Sequence, residues 1–410
     1  MGDKYRVFPG WWQVAVSLIL QAASSASIFT AYSIIAVPLE KTFEPSRMVL
    51  MLGIPAVVAA TGVLSPVIGA AIDKFSIRLL MLAGTFILGL GFVLLSFASS
   101  MNQVLLIYLI PMAISSVLTG PVAGSALLAR WFNHRRGLAI SIAAGGAAVG
   151  GLIIPPLLQY LIATFEWRAA LQIYGVGVFA ITAPLVALVV VSRPAERNLA
   201  AYGDVVTADS SAAPGQPKTL TFGFFLQQRN FWLVAVCLGL LFSGPMGLLT
   251  NFIPFLEEKN ISVAQGALLL SVFSAANIAG KLGSGAIADK LASRTMLLAI
   301  TILIAISVFG YLQSATFYLL AACSVGLGVS QGAVVPLWSI IMAKLYGPDN
   351  MGRSMGLMGA MITPFTLVAP PLFGRIYDIS GSYNFALLGY IALLSIIPFL
   401  LVMLREQRHT

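Results

Sequence analysis

The stretch GAAIDKFSIR at residues 69–78 returns at 285–294 as GAIADKLASR. Gly69, Asp73, Lys74 and Arg78 stand over Gly285, Asp289, Lys290 and Arg294, four identities at a single offset of 216 residues. Scattered Leu and Ala recur by chance in any apolar chain, whereas Gly-xxx-Asp-Lys-xxx-Arg does not. Working outward, the same offset joins Pro38 to Pro254, each followed by an acidic residue and a lysine, and the pair Pro155-Pro156 recurs as Pro370-Pro371, one residue off. The chain reads as two copies of one design, and duplicated halves are a signature of membrane carriers, with the substrate site near the bilayer midplane between the repeats.

The composition agrees. Of 410 residues, 59% are apolar and 9% charged, against about 45–50% and about 25% in a soluble domain. Apolar stretches between charge clusters predict twelve spans: 11–39, 48–72, 79–99, 104–130, 137–163, 169–192, 228–256, 263–288, 295–313, 317–346, 353–377 and 384–404. Each is long enough to cross a hydrocarbon core about 30 Å thick as a helix. A barrel would alternate apolar and polar residues instead. The expected fold is all-α, an integral membrane protein of twelve helices in two pseudo-twofold related bundles, 1–192 and 228–410, joined by a polar cytoplasmic linker at 193–227 rich in Ser, Ala, Pro, Gly and Asp. With the termini in the cytoplasm, seventeen of the 23 Lys and Arg lie inside, five outside and one, Lys281, within a span. That asymmetry orients the chain in a cell inner membrane. The opening MGDKYR has no apolar region with a cleavage site, so the first span is expected to be retained.

Several function classes drop out. The net charge of +9 is spread between spans rather than gathered in a patch, so no nucleic acid is expected. Cys237 and Cys323 lie within apolar spans with no partner at metal-ligand spacing. AGKLGSG around Lys281 lacks the first glycine and the Ser or Thr of a phosphate loop, and Gly175, Gly177 and Ala180 sit in a wholly apolar span where small residues pack helices. There is no nucleophile, base and orienter set. Neither enzyme activity, cofactor nor metal is expected, and a receptor would call for a larger soluble output domain.

The loop at 69–78 and its copy resemble the signature loop of the major facilitator superfamily, Gly-xxx-Asp-(Arg/Lys)-x-Gly-x-Arg, with Ser76 and Ala292 in place of the loop glycine. The resemblance covers essentially the whole chain in span count and repeat. It implies that Asp73 and Asp289, with Arg78, Arg130 and Arg294, form conformational latches on the cytoplasmic side. YRVFPGWWQV, with Gly10, Trp11 and Trp12, and ARWFNHRRGLA (129–139) look like the bacterial oxalate/formate antiporter and monocarboxylate porter group. The tryptophans and arginines also suit an interfacial belt and inside-positive anchoring.

Lys281 is the one ionisable residue left within a span, and such residues are functional by default. It lies eight residues before Asp289, about 12 Å of helical rise from the boundary, so its stem could also snorkel. Ser271, Ser274, Asn277, Lys281 and Ser284 recur at spacings of three and four, which puts them on one helical face, with Leu269, Val272, Phe273, Ile278 and Leu282 apolar beside it. The corresponding residue of the first half is Ser65, so the charge belongs to one half only. A fixed cation in a dry cavity wants an anion. In the resembled family a cation in span eight, usually Arg, is preceded four residues earlier by Asp or Asn, and Asn277 and Lys281 occupy that pattern. Its oxalate exchangers add a cation in span eleven, which here has none between Arg353 and Arg375, so a monocarboxylate is favoured.

Tyr32, Thr119, Asn251 and Gln331, with Gln21, Ser25 and Trp338, are expected to line the rest of the cavity from spans one, four, seven and ten. A loaded, neutralised carrier should switch more readily than one with a bare charge, which allows either anion exchange or symport with a proton released by Lys281 itself. A drug/proton antiporter would usually need a membrane carboxylate, and none is present. Arg375 and Asp378, three apart, read as an outer gate or a solvated pair. The partners expected are thus a small organic anion, a proton and the bilayer, for a monomeric carrier.

Overall fold

The computed structural model describes residues 8–45, 49–50, 52–203, 220–288, 291–313 and 316–403. Those residues are helical almost throughout, and ten helices among them are long and apolar enough to cross a bilayer. One, Arg136–Val189, is two crossings in a single run of 54 residues. Phe165 (φ −122°, ψ 16°) and Glu166 (φ 60°, ψ 146°) break it, within the gap read between spans five and six. Val263–Ala288, at 26 residues, is also long enough, which completes the twelve crossings. Large apolar side chains such as Leu152 (77%), Leu188 (77%) and Val402 (82%) stand exposed, as helices solvated by lipid require.

The chain divides into two compact units. One holds the described residues up to Leu220 together with Tyr346–Ala360, and the other holds Thr221–Leu345 and the residues from Met361 on. The helix Met351–Ser380 is therefore shared, its first turns belonging to the first unit.

The repeat is visible in contacts as well as letters. In the first unit Arg78 donates from Nη2 to the carbonyl of Ala187. In the second, Arg294 donates from Nη2 to the carbonyl of Val402 at 3.1 Å. Each arginine ties the start of a third crossing to the end of a sixth. Likewise the Tyr174 and Ser27 hydroxyls share a hydrogen bond of 2.5 Å, while Tyr390, at the matching position, donates to the Leu240 carbonyl at 3.1 Å.

The two stretches that carried the second resemblance meet. Trp11 packs edge-on to Phe132 at 5.1 Å between ring centroids, and Phe8 contacts both Trp131 at 6.0 Å and Tyr202 at 5.1 Å. Trp12 is 63% exposed, as a belt residue should be. Tyr202 lies in the segment read from composition as a flexible linker, yet its N–H donates to the Trp131 carbonyl at 2.9 Å and its carbonyl accepts from His134 N at 2.8 Å. The ends of that segment are ordered for a reason its Ser, Ala and Pro content conceals. Backbone groups do the pairing, and one tyrosine ring fills the hollow beside Phe8 and Phe132.

Candidate functional site

Lys281 sits in the helix Val263–Ala288 of the second unit. That helix lies against Phe317–Tyr346 at glycine positions, where the backbones come close enough to exclude any side chain. A Cβ added to Gly332 would stand 2.1 Å from the Asn277 carbonyl oxygen and 2.9 Å from Lys281 N. One added to Gly280 would stand 2.1 Å from the Val329 carbonyl oxygen. Small residues permit such crossings in lipid, where no hydrophobic drive presses helices together. The turn carrying Asn277 and Lys281 is thereby positioned by close backbone packing. Gly332→Leu should lower the thermal midpoint of the detergent-solubilised protein, at a cost of about 1–3 kcal/mol. Gly374→Ala should leave it unchanged or slightly raised, because a Cβ there meets nothing within 4 Å and alanine favours the helix.

Lys281 is half-buried, and among the described residues no hydrogen bond or ion pair reaches its ammonium group. Two other cations of this unit are committed: Lys259 Nζ donates to the Leu312 carbonyl at 3.2 Å, and Arg294 binds Val402 as above. The polar stripe around Lys281 straddles an edge. Ser271 and Ser274 are exposed alongside Ile278 and Leu282, Asn277 is half-buried, and Ser284 is buried. Ser274 donates to the Leu270 carbonyl at 2.8 Å and Ser284 to the Lys281 carbonyl at 3.0 Å, so their hydroxyls bond their own helix.

The other expected lining residues are spent on neighbours to varying degrees. Gln331 Nε2 donates to the Leu241 carbonyl at 2.7 Å, tying span ten to span seven. Asn251 ends the helix Arg229–Thr250 and donates to the carbonyls of Gly247 at 2.9 Å and Pro370 at 3.4 Å. In the first unit Tyr32 is 5% exposed and donates to the Leu50 carbonyl at 2.5 Å. Thr119 is 1% exposed and donates to the Ser115 carbonyl at 2.8 Å. Trp338 is half-buried, with a shielded indole N–H that has no acceptor and a ring set edge-on to Phe242 at 6.5 Å. Arg375 and Asp378 are both exposed and form no ion pair with each other.

Two of the residues expected to form latches gain partners that the sequence does not announce. Asp73 Oδ1 accepts from Gly352 N at 2.7 Å and Oδ2 from Arg353 N at 2.8 Å, the first turn of Met351–Ser380. A carboxylate there satisfies orphan donors and meets the positive end of the helix dipole. Gly69 and Gly352 bring the two backbones together, since a Cβ on Gly69 would stand 2.1 Å from the Gly352 carbonyl oxygen. Arg130 Nη2 donates to the Ile72 carbonyl at 3.1 Å, next to Asp73. Asp289 lies outside the described residues.

The profile of the Major Facilitator Superfamily matches residues 14–317 and 236–410, which together take in nearly the whole chain. The chain belongs to that superfamily. Rat monocarboxylate transporter 13 is 26% identical over 383 residues, 92% of this chain and 84% of that protein. Mouse monocarboxylate transporter 12 is 24% identical over 426 residues, 97% and 87% of the two chains. Among solved structures, the major facilitator transporter FucP in its outward conformation aligns with a TM-score of 0.67 at 13% identity, covering 97% of this chain and 99% of that one. The superfamily membership makes this a multi-pass membrane transporter of small substrates and not an enzyme.

Proposed function

We propose that the chain carries a small monocarboxylate anion of lactate or pyruvate size across a cell inner membrane by alternating access, together with a proton. One observation carries the reading: Lys281 is a half-buried cation in a membrane helix that no described carboxylate neutralises. Leaving such a charge unpaired is costly, and a substrate carboxylate is the natural group to relieve it. The names of the mammalian relatives point to the same substrate class. The lysine offers a single point charge rather than a guanidinium fork, which suits one carboxylate of variable orientation. Asn277, one turn earlier on the same helix, supplies an amide for a second substrate oxygen, and Ser274, Gln331, Asn251, Tyr32 and Thr119 complete the site as the carrier rearranges.

Asp73 serves as the latch. Its two bonds to the start of Met351–Ser380 stabilise one state of the carrier, and a rearrangement that moves this helix has to break them. Arg78 and Arg130 brace the crossings around it, and Arg294 braces the corresponding crossings of the other half, with Asp289 as the copy there. The termini face the cytoplasm, and the carrier works as a monomer with 193–227 linking the halves.

The test is uptake of labelled L-lactate, pyruvate and benzoate into proteoliposomes with and without an inward proton gradient. Symport predicts accumulation that collapses when the gradient is dissipated. Anion exchange, the alternative, predicts uptake only into vesicles preloaded with a carboxylate, with no response to the gradient. Uptake of none of these acids in any condition would refute a monocarboxylate substrate.

A further inference from the structure

We propose that the first crossing is hinged at the π-helical turn Ala26–Thr30 and that Tyr32 is the catch that holds its second half closed. The crossing runs as Gly10–Ser25, Ala26–Thr30 and Ala31–Phe43, all within the first unit. At the middle piece Ala31 N donates to the Ala26 carbonyl, five residues back rather than four. Turns widened in this way recur at functional sites. The residues of this one, ASIFT, include neither proline nor glycine, the usual local causes of a distorted helix.

The first half is fastened through backbone groups. A Cβ added to Gly146 would stand 2.0 Å from the Leu18 carbonyl oxygen, and one added to Gly150 would stand 2.2 Å from that of Ala22. Gln13 is buried, donates from Nε2 to the Val189 carbonyl at 2.9 Å and accepts at Oε1 from Val191 N at 3.2 Å. In the turn itself Ser27 is bonded to Tyr174. Beyond it side chains take over. The Tyr32 hydroxyl donates to the Leu50 carbonyl at 2.5 Å. Its ring covers Gly53, where an added Cβ would stand 2.3 Å from Tyr32 Cζ, and lies edge-on to Tyr108 at 4.9 Å. Phe43 meets Trp167 edge-on at 6.3 Å. Side-chain contacts can be remade in another rotamer, whereas backbone pressed against backbone has no such freedom.

Tyr108 makes release of the catch less costly. It is fully buried, and its hydroxyl has no acceptor among the described residues. It also opens a second π turn, Tyr108–Met112, in which Pro111 supplies no N–H. A buried hydroxyl without a partner raises the free energy of this arrangement, and a movement of Tyr32 that pairs or hydrates it removes that penalty. An α turn takes 3.6 residues, so tightening the turn at Ala26–Thr30 by one residue rotates the second half by about 100° and carries Tyr32 off Gly53. One end of the crossing then opens while the other stays fixed, which is what gating in an alternating-access carrier demands. The hinge rests on the transporter fold and is independent of Lys281 and of the choice of substrate.

The test uses full-length protein in detergent with one added cysteine, either Val14→Cys in the first half or Leu39→Cys in the second. Both positions are buried, and each lies four residues from its own end of the crossing. Labelling by a water-soluble maleimide is timed against the low background of the buried Cys237 and Cys323. Tyr32→Phe keeps the ring and loses the bond to Leu50, so it should speed labelling at 39 about two- to tenfold. Gly53→Ala displaces the ring as well and should speed it further. Labelling at 14 should keep its original rate in both backgrounds. Acceleration at 39 by Gly53→Ala alone would still support the catch and put its hold in the ring rather than the hydroxyl. An unchanged rate at 39 with Gly53→Ala would mean that Tyr32 holds nothing closed, and equal acceleration at 14 and 39 would mean that the whole helix loosens without a hinge. Either of these two results overturns the proposal.

Discussion

Lys281→Gln should reduce carboxylate uptake into proteoliposomes by about thirtyfold or more while leaving the thermal midpoint at or above that of the wild type. The size follows from what is removed. A hydrogen-bonded charge pair whose partner is truncated loses about 2–5 kcal/mol, and about 1.4 kcal/mol is a factor of ten. The direction of the stability change follows from the ammonium's having no partner among the described residues. Replacing an unpaired buried charge by a neutral amide relieves a desolvation cost. Lys281→Arg sharpens the test. Arginine keeps the positive charge but does not give up its proton, so it should retain exchange of one carboxylate for another and lose uptake driven by a proton gradient. If Lys281→Gln transports at the wild-type rate, the anion is not held at this residue and the single-cation site fails.

Asp73→Asn should release the helix Met351–Ser380 at its first turn. The carboxylate accepts from two backbone N–H groups at 2.7 and 2.8 Å. An amide keeps one acceptor and turns an N–H₂ donor toward the other N–H. Hydrogen bonds to charged groups contribute about 1.5–3 kcal/mol, so losing one and weakening the other shifts the balance of states by roughly ten- to a hundredfold. Ser354, 0% exposed and one residue beyond Arg353, offers the readout. A cysteine at 354 should react with a membrane-impermeant maleimide at least tenfold faster in the Asp73→Asn background than with Asp73 intact. The chain's own cysteines, Cys237 and Cys323, are buried and supply a low background. Equal labelling rates in the two backgrounds would mean that Asp73 caps a helix without latching a state.

Much of this was legible in the residues because the signals are local. The break at Phe165–Glu166 falls in the gap between spans five and six, where Glu166 and Arg168 interrupt the apolar run. Lys281 stands out because a lone cation among apolar neighbours needs no partner to be noticed. The polar stripe beside it was a harder reading. Helical periodicity puts Ser271, Ser274, Asn277 and Ser284 on one side, but Ser274 and Ser284 turn out to bond carbonyls of their own helix. Periodicity says which residues share a face and nothing about whether a hydroxyl is already satisfied. Tyr32 and Thr119 repeat the lesson, since their polarity is evident and their burial is not.

The sequence by itself determined that this chain is a duplicated bundle of membrane helices with one charged group inside the apolar spans. Apolar run length against bilayer thickness, charge asymmetry and internal identity are all properties of the chain in order. Only the tertiary structure decided where Asp73 points, which glycines let Val263–Ala288 lie against Phe317–Tyr346, and that Tyr202 folds back on Trp131. Those contacts join residues far apart in the chain through backbone N–H and carbonyl groups. Every residue but proline carries both groups, so no letter in the sequence marks the ones that are used.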